Sequence, residues 1–142
     1  MKVKGGVCII DDDHIFIYGV KRLIDDTSFC DKLMVYQNGQ DALDELKERL
    51  ENKLELPGII FLDLNMPMMT GWEFLDEYLQ LETKGPSQTR VYIVSSSVDP
   101  QDLLKINDYE QIRNYILKPV TAEDLEKIIS AEAKINTSSH QG

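Results

Sequence analysis

The sequence predicts a doubly wound α/β protein, a five-stranded parallel sheet with helices on both faces. Three observations carry this. Short apolar runs alternate with amphipathic stretches along the 142-residue chain. The runs are apolar on both faces, as strands covered by helices on both sides must be. Finally, four of the runs end on polar residues: Ile9-Ile10 on Asp11-Asp12-Asp13, Phe61-Leu62 on Asp63, Val94 on Ser95-Ser96-Ser97, and Ile116-Leu117 on Lys118. Functional groups of open parallel sheets gather at the carboxyl ends of the strands. These residues are therefore expected at one edge, as one polar site.

Taken in order, Val7 to Asp11 reads as a buried strand. A helix follows from His14 to Asp26, with Phe16, Val20, Leu23 and Ile24 on one face and Asp13 as N-cap. Lys32 to Gln37 is a short β-prone run. Asn38-Gly39 leads into a helix with Leu43, Leu46 and Leu50 on one side and charges opposite. Leu56-Pro57-Gly58 breaks it before the third strand, Ile59 to Asp63. The next helix, Gly71 to Glu82, carries Trp72, Leu75, Tyr78 and Leu79, and Lys84-Gly85-Pro86-Ser87 is a loop by composition. Arg90 to Ser95 is the fourth strand. Asp99 caps a short helix that starts on Pro100. Gln111 to Leu117 is the fifth strand. Thr121 and Asp124 have capping-box spacing before a last helix whose Leu125, Ile128 and Ile129 face inward. From about Asn136 the chain turns polar, so the expected organisation is one domain over 1–136 and a frayed tail over 137–142. Right-handed crossovers are expected, and no internal repeat is visible.

Composition narrows the function. Hydrophobic residues at 42% and charged residues at 28% suit an ordinary folded domain. The net charge of -10 argues against binding nucleic acid through its phosphates. No apolar run approaches the ~20 residues of a membrane helix, and the basic start lacks a signal-peptide core. Cys8 and Cys30 show no metal-type spacing, and Cys8 is expected as a buried free thiol in a reducing, cytoplasmic compartment.

The strand-end residues complement one another chemically. Carboxylates held together repel and raise one another's pKa. A divalent cation relieves this, and hard oxygen donors favour Mg²⁺. Lys118 adds a positive point charge. Such a site suits a phosphoryl group: an ionised Asp can attack without a general base, and a hydroxyl such as Ser95 can hydrogen-bond a phosphoryl oxygen.

With these pieces in place, the chain resembles the receiver domain of two-component response regulators. The matching segments are IIDDD at 9–13, FLDLNMP at 61–67, Gly71, VSS at 94–96 and YILKP at 115–119. The resemblance covers roughly Val7 to Ile135. The resemblance implies a (βα)5 flavodoxin-like fold with strand order 2-1-3-4-5. It implies that Asp63 is the phosphoacceptor, Asp12 a direct Mg²⁺ ligand, Asp11 a ligand through water, and Asn65 a ligand through its backbone carbonyl. Ser95 matches the switch hydroxyl, Lys118 the phosphate-binding lysine and Tyr115 the aromatic switch. Asn65 and Ser97 occupy the positions that tune dephosphorylation; both are small and uncharged, which implies a middling phosphate lifetime. Lys118–Pro119 is a candidate cis bond. Asp13 leaves the register of the acid pair open by one residue. Asp11 and Asp12 are preferred, because Ile9-Ile10 fill the preceding buried positions and Asp13 can cap the helix.

The implied function is a stand-alone signalling receiver, not a metabolic enzyme. It would take a phosphoryl group from a histidine kinase or histidine phosphotransfer protein and switch the helix 4–strand 5–helix 5 face toward a downstream protein, as a monomer or weak dimer. Since the chain ends soon after the fifth helix, output is expected to come from a partner. Three other functions compete. A haloacid-dehalogenase-type phosphatase needs a second Asp where this chain has Asn65. A flavodoxin-like cofactor binder needs a Ser/Thr/Gly-rich loop where this chain has three acids. An inactive receiver would not need the intact acid set. Plainer readings stand beside the individual residues: Asp11–Asp13 as helix caps, Ser95 bonded to backbone, Tyr115 as packing, Trp72 as packing or a partner surface, Met66, Met68 and Met69 as loop and gap-filling residues, and His14 as surface.

Overall fold

The computed structural model describes Val3 and residues 5–81 and 89–141, with 134–141 as backbone only. The loop expected at 84–87 lies outside the described residues. Strands β1 (Val7–Ile10), β2 (Leu33–Tyr36), β3 (Ile59–Asp63), β4 (Arg90–Ser95) and β5 (Ile112–Leu117) form one parallel sheet in the order β2-β1-β3-β4-β5. Between them run α1 (His14–Thr27), α2 (Gly39–Glu51), α3 (Gly71–Leu81) and α4 (Pro100–Lys105), the last extended by a 3-10 turn at Ile106–Asp108; α5 (Ala122–Gln141) follows β5.

The period-2 alternation of the strands divides the core into two layers. Val7, Ile9, Ile59, Phe61, Tyr92 and Val94 meet Phe16, Ile17, Val20 and Ile24 of α1 and Leu125 and Ile128 of α5. Cys8, Ile10, Ile60, Leu62, Val91 and Ile93 meet Ala42, Leu43 and Leu46 of α2 and Phe74, Leu75 and Tyr78 of α3. Burial pushes the pKa of the free Cys8 thiol up. Among the described residues, no helix is long and apolar enough to cross a membrane.

Helix starts follow side-chain chemistry. Asp13 accepts from the Ile15 and Phe16 N–H groups at 3.0 and 3.2 Å. Asn38 caps α2 through the Asp41 N–H, and Asp99 caps α4 through the Gln101 N–H. Thr121 and Asp124 form the reciprocal capping box. A second box, Thr70 with Glu73, starts α3. Its T-x-x-E spacing carries the same signal in the sequence as the box before α5.

One expectation differs from the structure. Leu50 is 38% exposed, because the buried stripe of α2 ends one turn earlier at Leu46. Helical backbone continues through the polar stretch from Asn136 to Gln141. The pairing of β5 is irregular. Val91 faces Ile112 but Tyr92 faces Asn114, so Arg113 is an extra residue, a bulge. A one-residue slip exchanges the faces of everything beyond it. Ile112 accordingly packs in the α2/α3 layer, and Ile116, four residues on, in the α1/α5 layer. Tyr115 is thereby turned to the α3 side of the sheet.

Candidate functional site

Sheet register sets the site. Ile10 pairs with Leu62, so the next residues, Asp11 and Asp63, emerge side by side from β1 and β3. Asp63 in turn pairs with Val94, and Ser95 with Leu117, which brings Ser95 and Lys118 to the same edge. The Lys118 N–H donates to the Ser95 carbonyl at 2.8 Å, and the Lys118–Pro119 bond is cis.

Carboxylate oxygens of Asp11, Asp12 and Asp63 lie within 4.8 Å of one another. Asp11 is fully buried and Asp63 is 5% exposed, while Asp12 faces solvent. Asp13 turns away to cap α1, and its own N–H donates to Asp11 Oδ1 at 2.9 Å. Asp11 Oδ2 faces the Lys118 ammonium at 2.8 Å and, among the described residues, accepts no further hydrogen bond. That ammonium also lies 4.5 Å from the centroid of the Phe16 ring. Lys118 is thus held between an aromatic face and the most buried acid of the cluster.

The electrostatics follow from this crowding. Burial pushes the Asp63 carboxyl up to about 6, and the Asp11 and Asp12 carboxylates add to the rise; Lys118 and the Asn65 N–H, which donates to Asp63 Oδ1 at 3.3 Å, work against it. A buried carboxylate facing an ammonium, with two further acids beside it and one of them lifted toward neutrality, marks a crowding of negative charge. The donor set is all oxygen, convergent and open to solvent at Asp12. These residues fit a hard divalent cation.

Hydroxyls occupy the adjoining strand ends. The buried Ser95 Oγ donates to the Ser97 carbonyl at 2.8 Å and accepts from the Ser97 N–H at 3.3 Å. The Tyr115 hydroxyl donates to that same carbonyl at 2.7 Å. Ser97 therefore joins Ser95 to Tyr115 through its backbone, a link that sequence spacing could not show because the β5 bulge creates it. The floor is set by Gly71. Its N–H donates to the Leu64 carbonyl at 3.0 Å, and a Cβ at this position would lie 2.5 Å from the Asp63 carbonyl oxygen. Only glycine lets the start of α3 press against the backbone of Asp63.

Of the predicted site residues, the structure brings together Asp11, Asp12, Asp63 and Lys118, with Asn65 bonded to Asp63 and with Ser95, Ser97 and Tyr115 joined to one another at the adjoining strand ends. Sequence reasoning assigned Lys118 to a phosphoryl group; here its partner is Asp11. The three methionines separate: Met66 is buried, Met69 packs against the core, and Met68 is 87% exposed.

A parallel 2-1-3-4-5 sheet with an acid cluster and a lysine at its carboxyl edge defines a CheY-like signalling fold. The chain belongs to the response regulator receiver domain family, whose model matches residues 7–130. It is similar to the nitrate/nitrite response regulator protein NarL of Escherichia coli K12, 32% identical over 127 residues that cover 89% of this chain and 54% of NarL. It also matches the probable methanogenesis regulatory protein FilR2 of Methanothrix harundinacea, at 23% identity over 87% of this chain and 77% of that one. The chain thus spans about half the length of NarL. Among solved structures, a two-component response regulator from Cytophaga hutchinsonii is 30% identical with a TM-score of 0.82, covering 92% of this chain and 97% of that one. A two-component response regulator from Legionella pneumophila is 27% identical with a TM-score of 0.74, covering 89% of this chain and 95% of that one.

Proposed function

We propose that this chain accepts a phosphoryl group on Asp63 from a phosphohistidine donor, a histidine kinase or a histidine phosphotransfer protein, in the cytoplasm. The observation that carries this reading is the convergence of Asp11, Asp12 and Asp63 within 4.8 Å, with Lys118 set 2.8 Å from Asp11. Asp11, Asp12, Asp63 and the Asn65 backbone carbonyl would hold Mg²⁺. When bound, the ion would neutralise the phosphoryl oxygens and the crowded acids.

The rest falls to the chain. With its pKa near 6, Asp63 is largely ionised at neutral pH and needs no general base. Its carboxylate oxygen forms the O–P bond while the donor's P–N bond breaks, the electron pair returning to the imidazole. The Asn65 N–H keeps Asp63 Oδ1 oriented. Lys118 shifts from Asp11 toward the phosphoryl oxygens as new negative charge arrives beside it. Ser95 gives up its bond to the Ser97 carbonyl to donate to a phosphoryl oxygen. Because Tyr115 bonds the same carbonyl, that exchange is felt along α4, β5 and α5, where a downstream protein would read it. Asn65 and Ser97 would set the access of the hydrolytic water.

Acetyl phosphate with Mg²⁺ tests the assignment. Intact mass should rise by one phosphoryl group in the natural sequence, and Asp63→Asn should abolish the gain. Labelling of the Asp63→Asn protein at another residue would sink the reading.

A further inference from the structure

Helices α3 and α4 hold a second constellation of side chains that the phosphoryl chemistry does not use. Helix α4 has six residues, and neither it nor the 3-10 turn after it contains a buried residue. A segment this short with no buried residue is poorly held by apolar packing alone. It is gripped by α3 instead. The Trp72 ring stacks on Tyr109 with centroids 5.3 Å apart and planes 27° from parallel. Its indole N–H donates to Asp102 Oδ1 at 3.0 Å, and the Lys105 ammonium lies 4.9 Å from its centroid. One turn along α3, Asp76 accepts from the Tyr109 hydroxyl at 2.7 Å. Two residues of α3 thus hold three points from α4 to Tyr109, on the residue just past the 3-10 turn.

The grip sits next to the phosphoacceptor. Trp72 follows Gly71, whose backbone is pressed against Asp63 and Leu64. Helix α4 therefore has two tethers to the site. One runs through the Ser97 carbonyl shared by Ser95 and Tyr115; the other runs from Asp63 through Gly71 to Trp72. We propose that the Trp72–Tyr109–Asp102–Asp76 cluster is a latch that holds α4 at rest against α3 and sets how far phosphorylation of Asp63 displaces it. The coupling half of this rests on the proposed function; the holding half does not. The contacts are an aromatic stack, a cation over a ring and two hydrogen bonds between side chains, made by Trp72 and Tyr109 at the partly buried margin of the α2/α3 layer, and each is individually weak. A latch of that strength suits a segment that must move.

Hydrogen exchange of the full chain, followed by mass spectrometry, tests both halves. The variants are Tyr109→Leu, which removes the stack and the hydroxyl, and Tyr109→Phe, which removes the hydroxyl alone. Without ligand, amides over 98–110 should exchange about tenfold faster in Tyr109→Leu, and about two- to threefold faster in Tyr109→Phe, while those over 59–63 stay unchanged. Unchanged exchange over 98–110 in Tyr109→Leu overturns the latch. Beryllofluoride with Mg²⁺ is the probe for coupling. In the natural sequence it should speed exchange over 98–110 and shift the emission of Trp72, the one tryptophan of the chain; in Tyr109→Leu the further change over 98–110 should be at least halved. Beryllofluoride that raises the melting temperature yet leaves Trp72 and residues 98–110 unaltered overturns the coupling. If it does not raise the melting temperature, the phosphoacceptor reading fails, and the ligand-free comparison still judges the holding role.

Discussion

The two halves of the carboxyl edge are built differently. Asp11 and Asp63 stand at the ends of β1 and β3, interior strands of the sheet and buried throughout. Their separation is fixed by ladder register and by the backbone contact at Gly71. Ser95, Tyr115 and α4 belong to the other half. There β5 is an edge strand with a bulge, the links run through one loop carbonyl, and α4 is pinned by side chains that are at most partly buried. Rigidity is concentrated where charge must be held at set distances. Compliance is concentrated where the state of that charge would be read. Local stability varies in the same way across many proteins, with moving elements drawn from its low end.

The comparison breaks hardest at Gly71. In Gly71→Ala the added Cβ would meet the Asp63 carbonyl at 2.5 Å and the Leu64 Cα at 2.9 Å, both backbone. Neither can step aside as a side-chain tip could. We expect a loss of about 2–3 kcal/mol by urea unfolding, together with slower labelling of Asp63. Gly19 is the control. It lies within α1 with nothing inside 4 Å of a built Cβ, so Gly19→Ala should gain about 0.5–1 kcal/mol from helix propensity. Equal effects at the two glycines would mean that the rigid half is not held by this contact.

The next effect is a pH dependence of the cation's stabilisation. With no cation, the Asp63 carboxyl sits at about 6 in the folded chain, against 3.8 for the ordinary group. A raised carboxyl pKa favours the protonated folded form. Its contribution to stability is therefore complete below about pH 4 and is lost as pH rises through 6. A divalent cation needs the ionised carboxylate, so it should offset that loss only above pH 6. Millimolar Mg²⁺ should raise the melting temperature by several °C at pH 8 and by about 1 °C or less at pH 5. In Asp63→Asn the difference between the two pH values should shrink. The same shift at both pH values would place the cation elsewhere.

These halves also differ in how much of them could be read from sequence. An acid after an unbroken apolar run has few alternatives, because such a run forms a buried strand and an unpaired charge at its end is costly. The strands, the caps at Asp13, Asp99 and Thr121, and the gathering of polar strand ends were legible for that reason. Register on an edge strand is set by its neighbour as much as by its own residues. The bulge at Arg113, and with it the bond from Tyr115 to Ser97, was therefore invisible. Trp72 read only as packing or a partner surface, since its partners lie 30 and more residues away, at Asp102, Lys105 and Tyr109. Lys118 was recognised as a counter-charge. Its choice of Asp11 depends on which acid is most buried, and that is a property of the folded edge.

The smallest predicted effect lies at the seam between the halves. Met68 has φ +69° and is 87% exposed, in the loop that leads from Asp63 to Gly71. An L side chain in the left-handed region costs about 1–2 kcal/mol, and glycine avoids that cost while losing more chain entropy on folding. Met68→Gly should therefore gain only about 0.5 kcal/mol. In Met68→Val, β-branching crowds the same backbone further, and about 1 kcal/mol should be lost. The order Gly, Met, Val in urea midpoint, at constant m-value, would show that the loop is held left-handed by Gly71 and Asp63 against the preference of its own residue. Indifference to Val would place the loop with the compliant half instead. Labelling by acetyl phosphate should stay within about twofold in the glycine variant, because the turn is imposed from the rigid side.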